Sequence, residues 1–453
     1  MSKPVMISIS GIRGVVGDGL TPQLILRYAS AAGTFYGEGE VMVGRDSRVT
    51  GEMIQSAVFS GLMSVGCHPV DLGVCPTPTV QMAVERSDAV GGIAVTASHN
   101  PVEWNALKLV GPNGLFLDYK QGEQVQQIAK EESFSIRNWD GVGHSCSYSN
   151  AISDHLDAIY NLSYVDVDAI RNRKFNVALD CVNGAGGTIM PKLLSDLGCT
   201  VHAINTEPSG RFAHTPEPVP ENLTDLCRLV RETKSDIGLA VDPDVDRLAL
   251  VTEQGECMGE EYTITLAVKL VLSKTDGTAV VNVSTTQAVN DVASKSGAEV
   301  IRTPVGEIYV AKRMRELNAV IGGEGNGGVI LTALHLGRDA PLATALTLQH
   351  LLEFGGSASA LWNSLPRYVM SKKKVDIGSA DPDQIISRLE ENHTTEMMDK
   401  TDGLKILRQG KWVHIRKSNT EPIIRVMAEA RTQDAAEHLV EELLTEISKL
   451  ARS

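Results

Sequence analysis

From Val41 to Val95 the chain alternates short apolar segments with stretches of helical spacing, and the same rhythm returns twice before the pattern changes. The first round opens with Val41-Met42-Val43-Gly44 running into the charged turn Arg45-Asp46-Ser47-Arg48. A helix from about Gly51 to Val65, a strand at His68–Leu72, a helix at Thr77–Glu85 and a strand at Gly91–Val95 follow. Strand-helix alternation of this kind demands parallel strands covered by helices on both faces. A second round begins at Phe175–Asp180 and a third near Glu260, with strands at Thr278–Asn282 and Glu299–Thr303 and with Gly306 heading a helix. Beyond Phe354-Gly355-Gly356-Ser357 come short strands at Trp412–Arg416 and Ile423–Val426 and a closing helix from about Asp434 to Leu450, the signature of a small α+β unit.

At 453 residues the chain is too long for one core. Polar, aperiodic Glu131–Asn150 reads as the linker out of the first unit. The resulting division is 1–150, 151–255, 256–365 and 366–453. The expected fold class is α/β: three similar α/β domains with mixed sheets and a smaller C-terminal α+β domain.

Chemistry concentrates at Val95-Thr96-Ala97-Ser98-His99-Asn100-Pro101. The strand before it places Ser98 on a loop at a strand's C-terminal end, where open α/β sheets bind ligands. Pro101 keeps Asn100 extended and stops the loop winding into helix. Taken alone, Ser98 is an ordinary loop serine or helix cap.

Asp242-Pro243-Asp244-Val245-Asp246-Arg247 follows the strand Asp236–Val241. Carboxylates at i, i+2 and i+4 of an extended chain share one face, where they repel one another unless a cation intervenes. A hard divalent metal with oxygen ligands resolves the conflict, and magnesium completes its shell with phosphate and water. Two other readings compete. A calcium-binding EF-hand loop would have Glu253 at its twelfth place, but Arg247 stands where glycine is needed and the flank Leu248-Ala249-Leu250-Val251 is strand-like. The other is a solvated acidic turn.

Other segments supply anion-binding and sugar-facing groups. Arg13, between Gly11 and Gly14, can present its fork to phosphate where the glycines allow close approach, or can sit on a surface turn. Lys108 returns close to Ser98 in sequence as a proton donor or clamp, or as a plain surface lysine. Asn183-Gly184-Ala185-Gly186-Gly187 could hold an anion on its N–H groups but lacks dinucleotide-fingerprint spacing. Glu207–Pro218 is too rich in Pro and Gly for helix, and so long an irregular segment is functional or disordered. Glu324 and Asn326, in Gly322-Gly323-Glu324-Gly325-Asn326-Gly327-Gly328, suit sugar hydroxyls, or mark a flexible hairpin. Arg416-Lys417-Ser418-Asn419-Thr420-Glu421-Pro422 packs cations, hydroxyls and an amide into one turn that suits phosphate.

A net charge of −14 argues against a nucleic-acid partner and leaves anion binding to local cations. The chain has no apolar run long enough for a bilayer and its N-terminus does not resemble a signal peptide, so no membrane partner and a cytoplasmic location are expected. Its seven cysteines include no pair close in sequence, against both a disulfide framework and a zinc site. Monomer and homodimer both fit.

Taken in order, TASHNP, DPDVDR, GGEGNGG and RKSNTEPIIRV resemble the four motifs of the α-D-phosphohexomutase superfamily. That resemblance implies four domains around one central cleft and a phosphorylated hexose as substrate. It implies a phosphoryl group on Ser98, with Asp242, Asp244 and Asp246 holding Mg²⁺ together with a phosphate oxygen contributed at Ser98. Arg416, Ser418, Asn419, Thr420 and Arg425 would grip the idle phosphate, Glu324 would orient the sugar, and His99 and Asn326 would stand on the substrate side. Arg13, Lys108 and Arg247 match positions lining the reaction centre. The implied reaction interconverts hexose 6-phosphate and hexose 1-phosphate through a hexose 1,6-bisphosphate that also serves as activator. Several branches end the sugar loop in Ser-Gly-His, where this chain has Asn326-Gly327-Gly328. The missing histidine leaves Lys108 as the candidate for proton transfer, and the ending looks closer to enzymes that accept glucosamine phosphate, ahead of glucose or mannose phosphate. A non-catalytic sugar-phosphate-binding regulator on the same scaffold is the alternative of another class, but a binder needs no phosphorylatable serine beside a metal.

Overall fold

The computed structural model describes residues 5–8, 11–378, 380–417 and 423–451. Four sheets follow one another along the chain. The first contains β1 (Met6–Ser8), β2 (Gly11–Val16), β3 (Gly19–Leu20), β4 (Glu40–Arg45), β5 (His68–Val74), β6 (Gly91–Val95), β7 (Trp104–Val110) and β8 (Cys146–Ser147). Its order is β1-β2-β7-β6-β4-β5-β8, with β3 beside β2. The strands joined by helices are parallel, as the alternation requires, while β7 runs antiparallel to both β2 and β6. Gly11 makes the β2–β7 pairing possible: its φ is +140°, and a Cβ there would lie 1.8 Å from the Leu107 carbonyl oxygen. The glycine thus serves strand packing beside Lys108, where the sequence suggested close approach to a ligand.

The second sheet is β10 (Thr200–Ile204), β9 (Asn176–Asp180), β11 (Ile237–Val241) and β12 (Leu248–Thr252), in that order. The third repeats this plan with β14 (Val300–Thr303), β13 (Ala279–Asn282), β15 (Ile321–Glu324) and β16 (Gly328–Leu331). Each places a parallel trio beside a closing antiparallel hairpin. β6 and β11 are buried at every position, which explains their continuous apolar runs. The second and third units share one continuous apolar core, from Leu156 to Leu365. The first and fourth have their own.

The fourth sheet is antiparallel, in the order β17 (Val369–Asp376), β21 (Ile423–Ala430), β20 (Lys411–Lys417), β19 (Leu404–Arg408) and β18 (Met397–Asp399). The helix Gln433–Leu450 covers it, burying Leu439, Val440, Leu443 and Ile447 at the helical spacing read from the sequence. The turn after β13 docks onto this sheet. Lys405 Nζ donates to the Val283 carbonyl at 2.6 Å, and the Gln287 N–H donates to Glu429 at 2.9 Å.

Glu131–Asn150, expected as a linker, runs back along the first unit. The N–H groups of Arg137 and Gly143 donate to the carbonyls of Ser64 and Met63, and β8 adds to the edge of β5. No described helix is long and apolar enough to cross a membrane.

Candidate active site

The loop between β6 and β7 carries Ser98, 3% exposed, with φ of 49°. That left-handed conformation is strained for a residue with a side chain and persists only where the surroundings impose it. Arg48 imposes it. Its guanidinium donates to the carbonyls of Ser98 (2.6 Å), Asn100 (2.7 Å), Pro101 (2.6 Å) and Trp104 (2.9 Å), and its Nε donates to Asp46 at 3.0 Å. Asp46 also accepts from the Thr96 hydroxyl, which in turn accepts from the Ser98 N–H. Phe212, in the Pro- and Gly-rich segment, lies 4.9 Å from the Arg48 guanidinium. That segment is thus ordered cover for the loop.

Opposite Ser98, Asp242–Arg247 joins β11 to β12. The aspartates do not share a face of an extended chain. A turn closes between them, with the Val245 N–H donating to the Asp242 carbonyl at 3.1 Å and Val245 at φ 62°. All three carboxylates still converge, with ligand atoms within 4.8 Å of one another, each residue buried. Asp244 Oδ1 and Asp246 Oδ1 are buried without a hydrogen-bond partner. Acceptors left so are costly, and a cation would satisfy them. An all-oxygen set of carboxylates beside a serine hydroxyl fits a hard divalent ion. Strands on both flanks are inconsistent with an EF-hand, and full burial removes the solvated-turn reading.

The Ser98 hydroxyl donates to Asp242 Oδ2 at 2.8 Å, and His99 Nδ1 lies 3.4 Å from the same hydroxyl. Burial, reinforced by Asp246 and Asp244, pushes the Asp242 carboxyl well above its usual range. Burial acts the same way on Asp244, but Lys108, 2.6 Å away, outweighs it and holds Asp244 ionised. Thr77 donates to that same oxygen at 2.6 Å. Burial, with Arg247 and Arg13 nearby, drives His99 down to about 2, so its ring is neutral.

One cavity of about 850 Å³ has Arg13, Ser98, His99, Lys108, Arg247, Glu307, Glu324, Asn326 and Arg338 on its walls. Arg13 donates to Asn100 Oδ1 at 2.8 Å. Arg247 lies 3.6 Å from Glu217. Glu324 ends β15, 3% exposed, in an ordered hairpin. Its Oε1 accepts from Asn282 (2.9 Å) and the Gly306 N–H (3.0 Å), its Oε2 from Arg338 (2.8 Å) and Asn326 (3.4 Å). Burial alone would raise its pKa, but Arg338 and Asn282 lower it and keep it charged.

Arg416 and Arg425 pair across β20 and β21 and are not among the cavity's lining residues. Arg416 reaches the cleft edge indirectly, through Asp402 at 3.2 Å, whose carboxylate accepts from the Val305 N–H at 3.0 Å. Ser418, Asn419 and Thr420 lie outside the described residues. In the glycine-rich turn after β9, the N–H groups of Gly184, Ala185 and Gly187 already bond to Cys181, Pro243 and Gly184 carbonyls. That turn packs beneath the aspartate loop in place of holding an anion. Sequence reasoning missed Arg48, Thr77, Glu307 and Arg338; only the Arg45–Arg48 charge cluster at a strand end hinted at the first.

Four family models cover the chain in order. They match phosphoglucomutase/phosphomannomutase α/β/α domain I at residues 6–136, domain II at 153–255, domain III at 258–368 and the C-terminal domain at 373–446. A phosphoglucomutase/phosphomannomutase of Thermococcus kodakarensis is 38% identical over 440 residues, 95% of this chain and 96% of that one. A phosphoglucosamine/phosphogalactosamine mutase of Sulfurisphaera tokodaii is 33% identical over 97% of this chain and 98% of its own. The crystal structure of a phosphoglucomutase/phosphomannomutase family protein from Burkholderia thailandensis superposes with a TM-score of 0.87 at 26% identity, covering 99% of this chain and 98% of that one. With all four domain models matched in order and relatives similar end to end, the chain belongs to the α-D-phosphohexomutase superfamily and is an isomerase of the phosphohexomutase class.

Proposed function

We propose that the protein interconverts hexose 6-phosphate and hexose 1-phosphate through a phosphoserine at Ser98 and a hexose 1,6-bisphosphate intermediate, with glucosamine phosphate preferred and glucose or mannose phosphate as alternatives. The observation carrying this reading is Ser98 Oγ, 2.8 Å from Asp242, in one cavity with Glu324 and four cationic side chains. Asp242, Asp244 and Asp246 would hold Mg²⁺, which supplies Lewis-acid neutralisation of charge on the transferring phosphoryl group.

The chain's own residues do the rest. The P–Oγ bond at Ser98 breaks as the sugar's free hydroxyl bonds to phosphorus. In the return half, the other phosphoryl group moves back to Ser98 after the bisphosphate has turned. Lys108, 2.6 Å from Asp244 and 3.6 Å from Asp246, is held in its charged form, so it would give a proton to Ser98 Oγ as the P–O bond breaks and recover one from the sugar hydroxyl. Arg13 and Arg247 offset charge on the equatorial oxygens. A carboxylate has about four acceptor sites, and all of Glu324's are engaged, so a sugar hydroxyl would replace the long Asn326 contact. Arg416 and Arg425, with Ser418, Asn419 and Thr420, hold the idle phosphate from a fourth domain beginning near residue 366, after units bounded near 150 and 255.

The test is an isomerase assay with glucosamine, glucose and mannose phosphates side by side in Mg²⁺, with intact mass measured after incubation with hexose 1,6-bisphosphate. Turnover led by glucosamine phosphate and a phosphate on Ser98 are expected. Absence of isomerisation with all three sugars would overturn the reading.

A further inference from the structure

Arg338 stands between β16 and the helix Ala340–Phe354, 8% exposed. Its fork holds three carboxylates from three separate segments. Nη2 donates to Asp246 Oδ2 at 2.6 Å, Nη1 to Glu324 Oε2 at 2.8 Å and Nε to Glu307 Oε2 at 3.0 Å. Only a planar guanidinium offers donors in directions that reach all three. Because Oδ2 of Asp246 is taken, its Oδ1 is left without a hydrogen-bond partner, as is Asp244 Oδ1.

The stem of this arginine also decides a neighbouring residue. A Cβ on Gly328 would lie 2.3 Å from Arg338 Cδ and 2.9 Å from its Cγ. Gly328 is not among the residues with positive φ, so its backbone would accept alanine. The volume beside the sugar loop is closed by Arg338. Its root is fixed in turn: Asp339 caps the following helix through the Leu342 N–H at 2.9 Å and bonds to His155 at 2.7 Å and His335 at 3.0 Å.

We propose that Arg338 is a positioning residue that holds Glu324 of the sugar loop in register with Asp246 of the aspartate loop, and that Gly328 lacks a side chain because the arginine's stem passes where one would stand. This rests on the mutase reading only in taking a sugar phosphate as its probe. The pair is mutually exclusive in space, so substitutions at the two positions are coupled.

The test uses the full chain carrying Ser98→Ala, so that binding is read without turnover. In calorimetry with glucosamine 6-phosphate, Arg338→Met is expected to weaken binding tenfold or more, with Arg338→Lys in between because an ammonium satisfies fewer of the carboxylates. Gly328→Ala alone is expected to weaken binding, and to add nothing once Arg338→Ala has removed the stem it would meet. Binding within twofold of the parent for Arg338→Met, or additive losses in the double variant, would overturn the proposal. Should Arg338→Met fail to fold, Arg338→Lys and Gly328→Ala decide it by the same thresholds. A parent that binds none of the three sugar phosphates overturns the substrate reading instead. Arg338 is then judged by Mn²⁺ titration: the proposal expects threefold or greater tightening in Arg338→Met as Asp246 loses its competing cation, and an unchanged affinity overturns it.

Discussion

The hydroxyl of Ser98 and the carboxylate of Asp242 are hydrogen-bonded at 2.8 Å although 144 positions separate them in sequence. Two loops from two different sheets therefore deliver the proposed phosphoryl carrier and the proposed metal-binding acids to one point. Removing the hydroxyl removes the phosphoryl carrier but not the walls of the cavity. Ser98→Ala should lose turnover on the order of 10⁴-fold or more. Sugar-phosphate affinity, read by calorimetry, should stay within about threefold, since binding energy comes from other residues.

Arg48 and Asp46 form a wholly buried pair, and the same arginine holds four loop carbonyls. Arg48→Met would strip all five partners at once and leave Asp46 uncompensated. Breaking one side of a buried ion pair costs about 3–5 kcal/mol. Urea unfolding should show a loss of that size, and the variant should lose turnover as Ser98 is released from its left-handed conformation.

The buried oxygens of Asp244 and Asp246 that lack a hydrogen-bond partner would be satisfied by a bound cation. Chelation with EDTA should abolish turnover and Mg²⁺ should restore it. The same treatment should lower the melting temperature, because a ligand that binds only the folded state stabilises by mass action. A metal-stripped protein with undiminished turnover would contradict this assignment.

Lys405 gives a pH dependence with a defined sign. It is 2% exposed, with Nζ 3.9 Å from the Trp412 ring centroid, and burial, aided by Arg302, lowers its pKa to about 6. Between that value and its unfolded value near 10.5 the unfolded chain binds the extra proton, so this group makes stability rise with pH. Lys405→Met abolishes that contribution. Its stability advantage over the parent should shrink by roughly 2–3 kcal/mol from pH 6.5 to 8.5. Denaturant unfolding at the two pH values reads it, and an unchanged difference would show that Lys405 stays charged.

Periodicity made the layered architecture legible. The helix Thr77–Glu85 and the strand Gly91–Val95 fall where spacing placed them, because local pattern and burial agree. The aspartate cluster was legible as residues but not as geometry: an extended chain would separate the carboxylates along its length, and the turn at Val245 gathers them instead. Arg48 and Arg338 were invisible for a different reason. Most of their partners are carbonyls and carboxylates dozens of positions away, and no local pattern encodes such meetings. The glycine-rich turn at Asn183–Gly187 misled because a count of N–H groups does not reveal which of them the backbone already occupies.

Asp246 leaves the ribosome 92 residues ahead of Arg338. A nascent chain that has completed its second sheet therefore carries a cluster of acids with Lys108 and Arg247 already made and Arg338 still to be decoded. Translation order thus leaves the tie between the aspartate loop and Glu324 to be made only after the third sheet has been synthesised.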